Sequence, residues 1–220
     1  MRRLSLMALV VGILALAVAR AEDADKTYKV DDEGFIRNWL ILEPIALGDG
    51  AGTHEEDSQK EFFNKEFFTG QKDAKPKAGD KVTVDGKPLT WHAVQSDDYA
   101  VDLEKVASDA GKEATNALFL GVTYIVADDD MNDLKLSIGS DDSSVWKLNG
   151  REVIRVYEGR GIDKDQNDKD GLALKKGVNV LSMAVINGEG PTAGCARFLD
   201  KAGNPVKNLK IILMPAAEAK

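Results

Sequence analysis

Cysteine is almost missing from this chain: Cys195 stands alone among 220 residues. No internal disulfide can form, although an oxidising compartment would permit one. Cys195 lies among small and apolar neighbours, Gly194, Ala196 and Phe198, with no base beside it. It reads as a small buried hydrophobe rather than a reactive thiol. Histidine is nearly as scarce, with only His54 and His92. There is no Gly-x-Ser-x-Gly elbow, and His54-Glu55-Glu56-Asp57-Ser58 lacks the second histidine that a zinc-binding helix needs four residues on. Triads and carboxylate pairs are assembled in space, so spacing leaves both open. Abundant acids on an acidic protein nevertheless read first as solvated surface, and the chain reads as non-enzymatic. Basic charge is in deficit too. Lys and Arg number 29 against 37 Asp and Glu, a net charge of −8. That sign repels phosphate backbones and argues against a nucleic-acid partner. No internal repeat occurs at solenoid periods.

A long hydrophobic run is also lacking. Residues 4–19 are apolar or small apart from Ser5 and Gly12, which is shorter than the roughly 20 residues a spanning helix wants. Arg2 and Arg3 precede this run, and the small-x-small sites Ala17-Val18-Ala19 and Ala19-Arg20-Ala21 follow it. Charge, short apolar run and small-residue site together form the pattern of a cleaved signal peptide over residues 1–21. The sequence therefore predicts export, periplasmic or secreted, with no stable membrane insertion after cleavage.

Downstream, residues 22–34 are a polar, acidic lead-in. Trp39-Leu40-Ile41-Leu42 reads as a first buried strand closed by Pro44. Residues 48–81 read as an insertion. It opens as a glycine-rich acidic loop, forms a short helix over 61–68 carrying Phe62, Phe63, Phe67 and Phe68, and ends in a lysine-rich connection. From Lys81 the punctuation becomes regular. Asp85-Gly86 and Asn149-Gly150 are hairpin dipeptides between alternating apolar segments. Residues 117–127 suit a central strand. Further strands are expected around 99–103, 134–138, 145–148, 153–156, 172–174, 178–186, 195–199 and 209–213. About ten short strands without intervening amphipathic helices predict an all-β, jelly-roll-like β-sandwich with one short helical insertion, a single domain over 35–214. Residues 215–220 read as a disordered tail. Nothing in the sequence specifies an oligomeric state.

Three polar segments invite a chemical reading. Gly48-Asp49-Gly50-Ala51-Gly52 has the glycines of a phosphate loop but neither the Lys-Ser/Thr ending nor a following apolar helix, and reads as a plain loop. Asp163-Lys164-Asp165-Gln166-Asn167 opens like a calcium loop. The EF-hand is excluded, because Asp168 replaces the required Gly and Leu174 the bidentate Glu. A looser calcium site stays open there. Asp128-Asp129-Asp130 reads as a hairpin turn.

The stretch from Gly139 to Gly150 is the most informative. Asp141 and Asp142 lie in a polar turn that leads into a strand bearing Trp146 and ending at Asn149-Gly150. One reading makes the acids backbone caps and Trp146 core. The other makes the turn a ligand edge, an acceptor pair beside an aromatic platform for an apolar sugar face.

Gly139-Ser140-Asp141-Asp142 with Trp146, Leu148, Asn149 and Gly150 resembles a signature of galactose-binding-like jelly-roll modules and the related PA14-type domains. Arg160-Gly161 and the run Leu174-Lys175-Lys176-Gly177-Val178-Asn179 resemble later features of the same modules, and Trp39-Leu40-Ile41-Leu42 their opening strand. Glu43, Ile45 and Ser143 depart from the pattern, which has Gly, an aromatic and Gly there. The resemblance covers residues 36–47 and 117–209. It implies an exported non-catalytic module binding carbohydrate or a cell-surface polymer, with Asp141, Asp142, Trp146, Asn149 and Arg160 as ligand residues. It also implies calcium at Asp141 and Asp142, touched by a sugar hydroxyl, and no other cofactor. The alternative is a structural or assembly protein contacting another surface protein. A hydrolase is the least favoured reading.

Overall fold

Strand β7, Ala117–Ala127, organises the molecule. Its sequence, ALFLGVTYIVA, is apolar on both faces, which only a strand covered on both sides can afford. Phe119 and Ile125 point into one hydrophobic cluster, while Leu118, Leu120, Val122 and Tyr124 point into another. The period of two along a strand separates the sets. The computed structural model describes residues 26–214. The expected signal peptide, residues 22–25 of the lead-in and the expected tail, 215–220, lie outside the described residues.

Along one edge β7 pairs throughout with β12, Gly177–Asn187. Beyond β12 come β9, Ser143–Leu148, and then β10, Arg151–Val156. The other edge of β7 is shared by three strands in succession: β14 (Lys210–Ile212), β2 (Asn38–Leu42) and β3 (Ile45–Ala46). β2 continues the sheet to β5 (Lys87–Gln95) and β4 (Lys81–Val84), and β1 (Tyr28–Lys29) adds to β14. The smaller sheet runs β11 (Asn167–Leu174), β8 (Met131–Asp141), β13 (Ala193–Leu199), β6 (Val101–Asp102). Every pairing is antiparallel, and the chain is an all-β sandwich as the sequence predicts. Trp39 and Trp146 meet edge to face between the sheets, 6.1 Å apart.

The hairpin dipeptides behave as read. Asp85 and Gly86, and Asn149 and Gly150, all take positive φ, the geometry of a type I′ turn. The Asp128-Asp129-Asp130 turn joins β7 to β8, and its acids meet Lys210, Lys176 and Lys175 respectively.

Two local expectations are corrected. The insertion helix, α1, spans Glu56–Asn64 rather than 61–68. The chain leaves the helix at Lys65 in an extended conformation, and Phe67 N–H donates to the Gln71 side chain in the turn that follows. All four phenylalanines still pack on the outer cluster, so their burial comes from a helix plus a turn. The strand expected over 99–103 shortens to β6 because Asp102 caps a second helix, α2, Leu103–Asp109. Its carboxylate accepts the Lys105 N–H at 2.8 Å, and helix capping there wins over the alternating pattern. Among the described residues no helix is long and apolar enough to cross a membrane.

Candidate functional site

β8 ends and β9 begins at the Asp141–Asp142 pair, whose peptide bond is cis. A chain of hydroxyls builds this turn from beneath. Trp146 Nε1–H donates to Ser144 Oγ at 3.0 Å, Ser144 to Ser140 Oγ at 2.8 Å, and Ser140 to the Asp142 carbonyl at 2.8 Å. Trp146 has no exposed surface. The stacking platform is therefore corrected to the core reading: this side chain fills the space between the sheets and steadies the turn through its indole N–H.

Arg160 comes from the loop after β10. Its Nε donates to the Ser140 carbonyl at 3.0 Å, Nη2 to Ser140 Oγ at 2.9 Å, and Nη1 to Asn167 at 2.7 Å. Burial lowers its pKa, while the charges of Glu158 and Asp141 act the other way. The guanidinium is held behind the turn, with its side chain only 13% exposed. Its own backbone N–H donates to Asp142 Oδ1 at 3.0 Å, and Gly188 N–H donates to Oδ2 at 3.2 Å. Thr192 donates to the Asp141 carbonyl at 2.7 Å.

Asp141 is the unusual group. Burial, and then the neighbouring charge of Asp142, push its pKa up to about 6, against the Ile162 backbone N–H that favours the ionised form. A buried carboxyl beside a like charge is a group that a proton, a cation or a hydroxyl donor would relieve.

The structure thus brings Asp141, Asp142 and Arg160 together and puts Trp146 beneath them. Asn149 is separated from the turn by the whole of β9, about 20 Å at the usual strand rise. Its amide is spent locally, donating to Asn179 Oδ1 at 2.9 Å and accepting Val180 N–H at 2.8 Å. Asn149 is corrected to a turn residue. Sequence reasoning missed Thr192, Gly188 and His54. The His54 imidazole lies directly on Gly188, where an ideal β-carbon would sit 2.2 Å from its Cε1. These residues reach the turn from other strands and from the insertion, and no local pattern marks them.

The looser calcium reading at Asp163 and Asp165 finds other partners. Arg197 and Ser137 hold Asp165 below the usual carboxylate range despite its burial, and Asp163 accepts the Lys164 N–H at 2.7 Å. Cys195 is buried, and its thiol pKa is pushed up to about 12 by that burial, as expected of an inert cysteine.

Fold and site together describe an antiparallel β-sandwich with a partly buried acidic turn at one end. No family model and no curated protein matches the sequence. Among solved structures, a β-glucosidase from Kluyveromyces marxianus aligns at 20% identity and a TM-score of 0.38, over 50% of this chain and 14% of its own. A PA14 sugar-binding domain from an RTX adhesin aligns at 16% identity and a TM-score of 0.39, over 79% and 96%. The PA14 domain of the antifreeze protein MpAFP aligns at 12% identity and a TM-score of 0.33, over 47% and 51%. The chain spans about a seventh of the glucosidase it matches.

Proposed function

We propose that this chain is an exported, non-catalytic module that binds carbohydrate or a cell-surface polymer at the Asp141–Asp142 turn. The observation that carries the reading is the carboxyl pair itself. It is partly withdrawn from water, braced by Arg160, Thr192 and the Gly188 amide, and left with an Asp141 pKa near 6. Such a pair accepts hydroxyl donors well, and sugars offer them in rows.

Calcium at this turn would have only the Asp141 and Asp142 carboxylates as protein carboxylate ligands, and both Asp142 oxygens already accept backbone N–H groups. The ion takes six to eight oxygens, and two carboxylates can supply at most four. Among the described residues no group of three or more acidic, histidine or cysteine side chains could hold a metal. Water or sugar hydroxyls would complete the coordination, which couples ion binding to ligand binding.

The test is a glycan array probed with and without calcium, using the wild type and Asp141→Asn/Asp142→Asn. Binding of a sugar class by the wild type and its loss in the variant is the expected result. If no glycan binds, or the variant binds equally well, the reading fails.

A further inference from the structure

The outer face of the larger sheet is only partly covered by the insertion. Where the segment after α1 stops, a groove of about 430 Å³ opens between it and strands β9, β10 and β12. That volume is in the range of small-molecule sites, about 300–1,000 Å³. Its floor is aliphatic, with Val122, Val145, Val180 and Ala184, and Phe63 and Phe68 form a wall. Val178, which is 43% exposed and the only large hydrophobic side chain so exposed among the described residues, belongs to the same lining. The strand period explains the composition. On β9, Trp146 and Leu148 face the sandwich interior, so Val145 and Lys147 face the groove.

The rim is basic on a molecule of net charge −8. Lys65, Lys72, Lys75, Lys147 and Arg155 line the groove, against Asp73 and Glu152. Arg155 is already paired with Glu152, and the Lys65 ammonium lies 4.7 Å from the Phe67 ring centre. Lys72 and Lys147 make no ion pair among the described residues, and they come from different elements, one from the insertion and one from the sheet. The neutral polar side chains are Ser182, Asn64, Gln71 and Asn149; the Gln71 side-chain carbonyl already accepts the Phe67 N–H, and the Asn149 amide is committed to Asn179 and Val180. A neutral sugar would leave the valine floor and the charges of Lys72 and Lys147 without a matching group, whereas an apolar body with one negative head group meets both.

We propose that this groove is a second binding site, for an amphiphilic organic anion. The apolar body lies on the valine floor, and the carboxylate or sulfonate reaches Lys72 and Lys147. The site is separate in place and chemistry from the acidic turn.

The probe is 8-anilinonaphthalene-1-sulfonate, followed by fluorescence on the folded protein, with dodecanoate as competitor and dodecanol as neutral control. Saturable one-to-one binding is expected, displaced by dodecanoate well before dodecanol and weakened by salt. Lys72→Ala/Lys147→Ala should bind about tenfold more weakly or worse, with the fold kept in circular dichroism and melting temperature, because Lys72 is exposed, Lys147 is half-buried and neither makes an ion pair among the described residues. Asp141→Asn/Asp142→Asn should bind the probe like the wild type, so failure here and failure at the turn are read separately. Absence of saturable binding, equal displacement by dodecanol, or full affinity in the double-lysine variant overturns the proposal.

Discussion

One glycine and one carboxyl carry the consequences at the residue scale. An ideal β-carbon on Gly139 would lie 1.9 Å from the Asp163 carbonyl and 2.9 Å from Cys195 Sγ. Backbone cannot yield as a flexible side chain can, so the loop from Gly161 to Gln166 must move. Gly139→Ala is expected to cost about 1–3 kcal/mol, measured by urea unfolding, and to loosen the loop that holds Arg160. At Asp141 the sign of the pH effect is set by a pKa raised to about 6 from 3.8. The folded state binds this proton more tightly than the unfolded chain, so this group adds stability as pH falls from about 6 toward 4 and withdraws it as pH rises. The shift corresponds to at most about 3 kcal/mol. Asp141→Asn should therefore melt higher than the wild type at pH 7 and lose most of that advantage near pH 4. An equal melting temperature at pH 7 would show that the carboxyl is not penalised in the fold. Asp165, held low by Arg197, contributes stability above its unfolded pKa and loses it on acidification, so the single-site comparison matters more than the whole profile.

At the scale of elements, the insertion is joined to the sheet by specific bonds as well as by its phenylalanines. Tyr124 on β7 donates its buried hydroxyl to the Pro76 carbonyl at 2.7 Å. Gly79 N–H donates to Trp91 O at 2.8 Å, and Trp91 N–H to Asp80 O at 2.9 Å. Tyr124→Phe leaves the Pro76 carbonyl without its partner and should cost about 1–3 kcal/mol. Limited proteolysis should then cut first between α1 and β4, where the wild type resists. Cleavage elsewhere, with no change in stability, would mean that the phenylalanine cluster alone holds the segment down. The Phe67–Gln71 turn also shows why the helix ends early: the Phe67 N–H is satisfied by the Gln71 side chain, so this turn serves its backbone without further helix.

For the whole molecule, the two hydrophobic clusters share their walls. β2 sends Trp39 and Ile41 inward and Leu40 and Leu42 outward, and β7 and β12 divide their side chains in the same way. Unfolding either cluster strips one face from these strands. Heat should therefore produce one cooperative transition over a dominant β signal in circular dichroism. Two separated transitions would show that the insertion melts by itself. The exported form is expected to begin at or near Glu22, a point that N-terminal sequencing of protein recovered from its host decides.

Much of the sandwich is legible in the chain because its determinants are local. Positive φ at Asp85-Gly86 and Asn149-Gly150 depends on a dipeptide, and the double-faced apolar run of β7 spans consecutive residues. Burial is not local. Trp146 sits in the same strand pattern whether it faces a ligand or Trp39, and only the second sheet packed over it decides for the core. The turn at Asp141 and Asp142 could be marked from its own residues. Its electrostatics could not: Asp142 is a neighbour in sequence, but the burial that does most to raise the Asp141 pKa, and the Ile162 N–H and Arg160 charge that oppose it, come from the folded surroundings. The groove on the outer sheet is further still from the sequence, since lysines from an insertion and from β9 line one groove only when that insertion folds across the sheet. Backbone hydrogen bonding and side-chain alternation are properties of neighbours in sequence, whereas desolvation and charge proximity belong to neighbours in space.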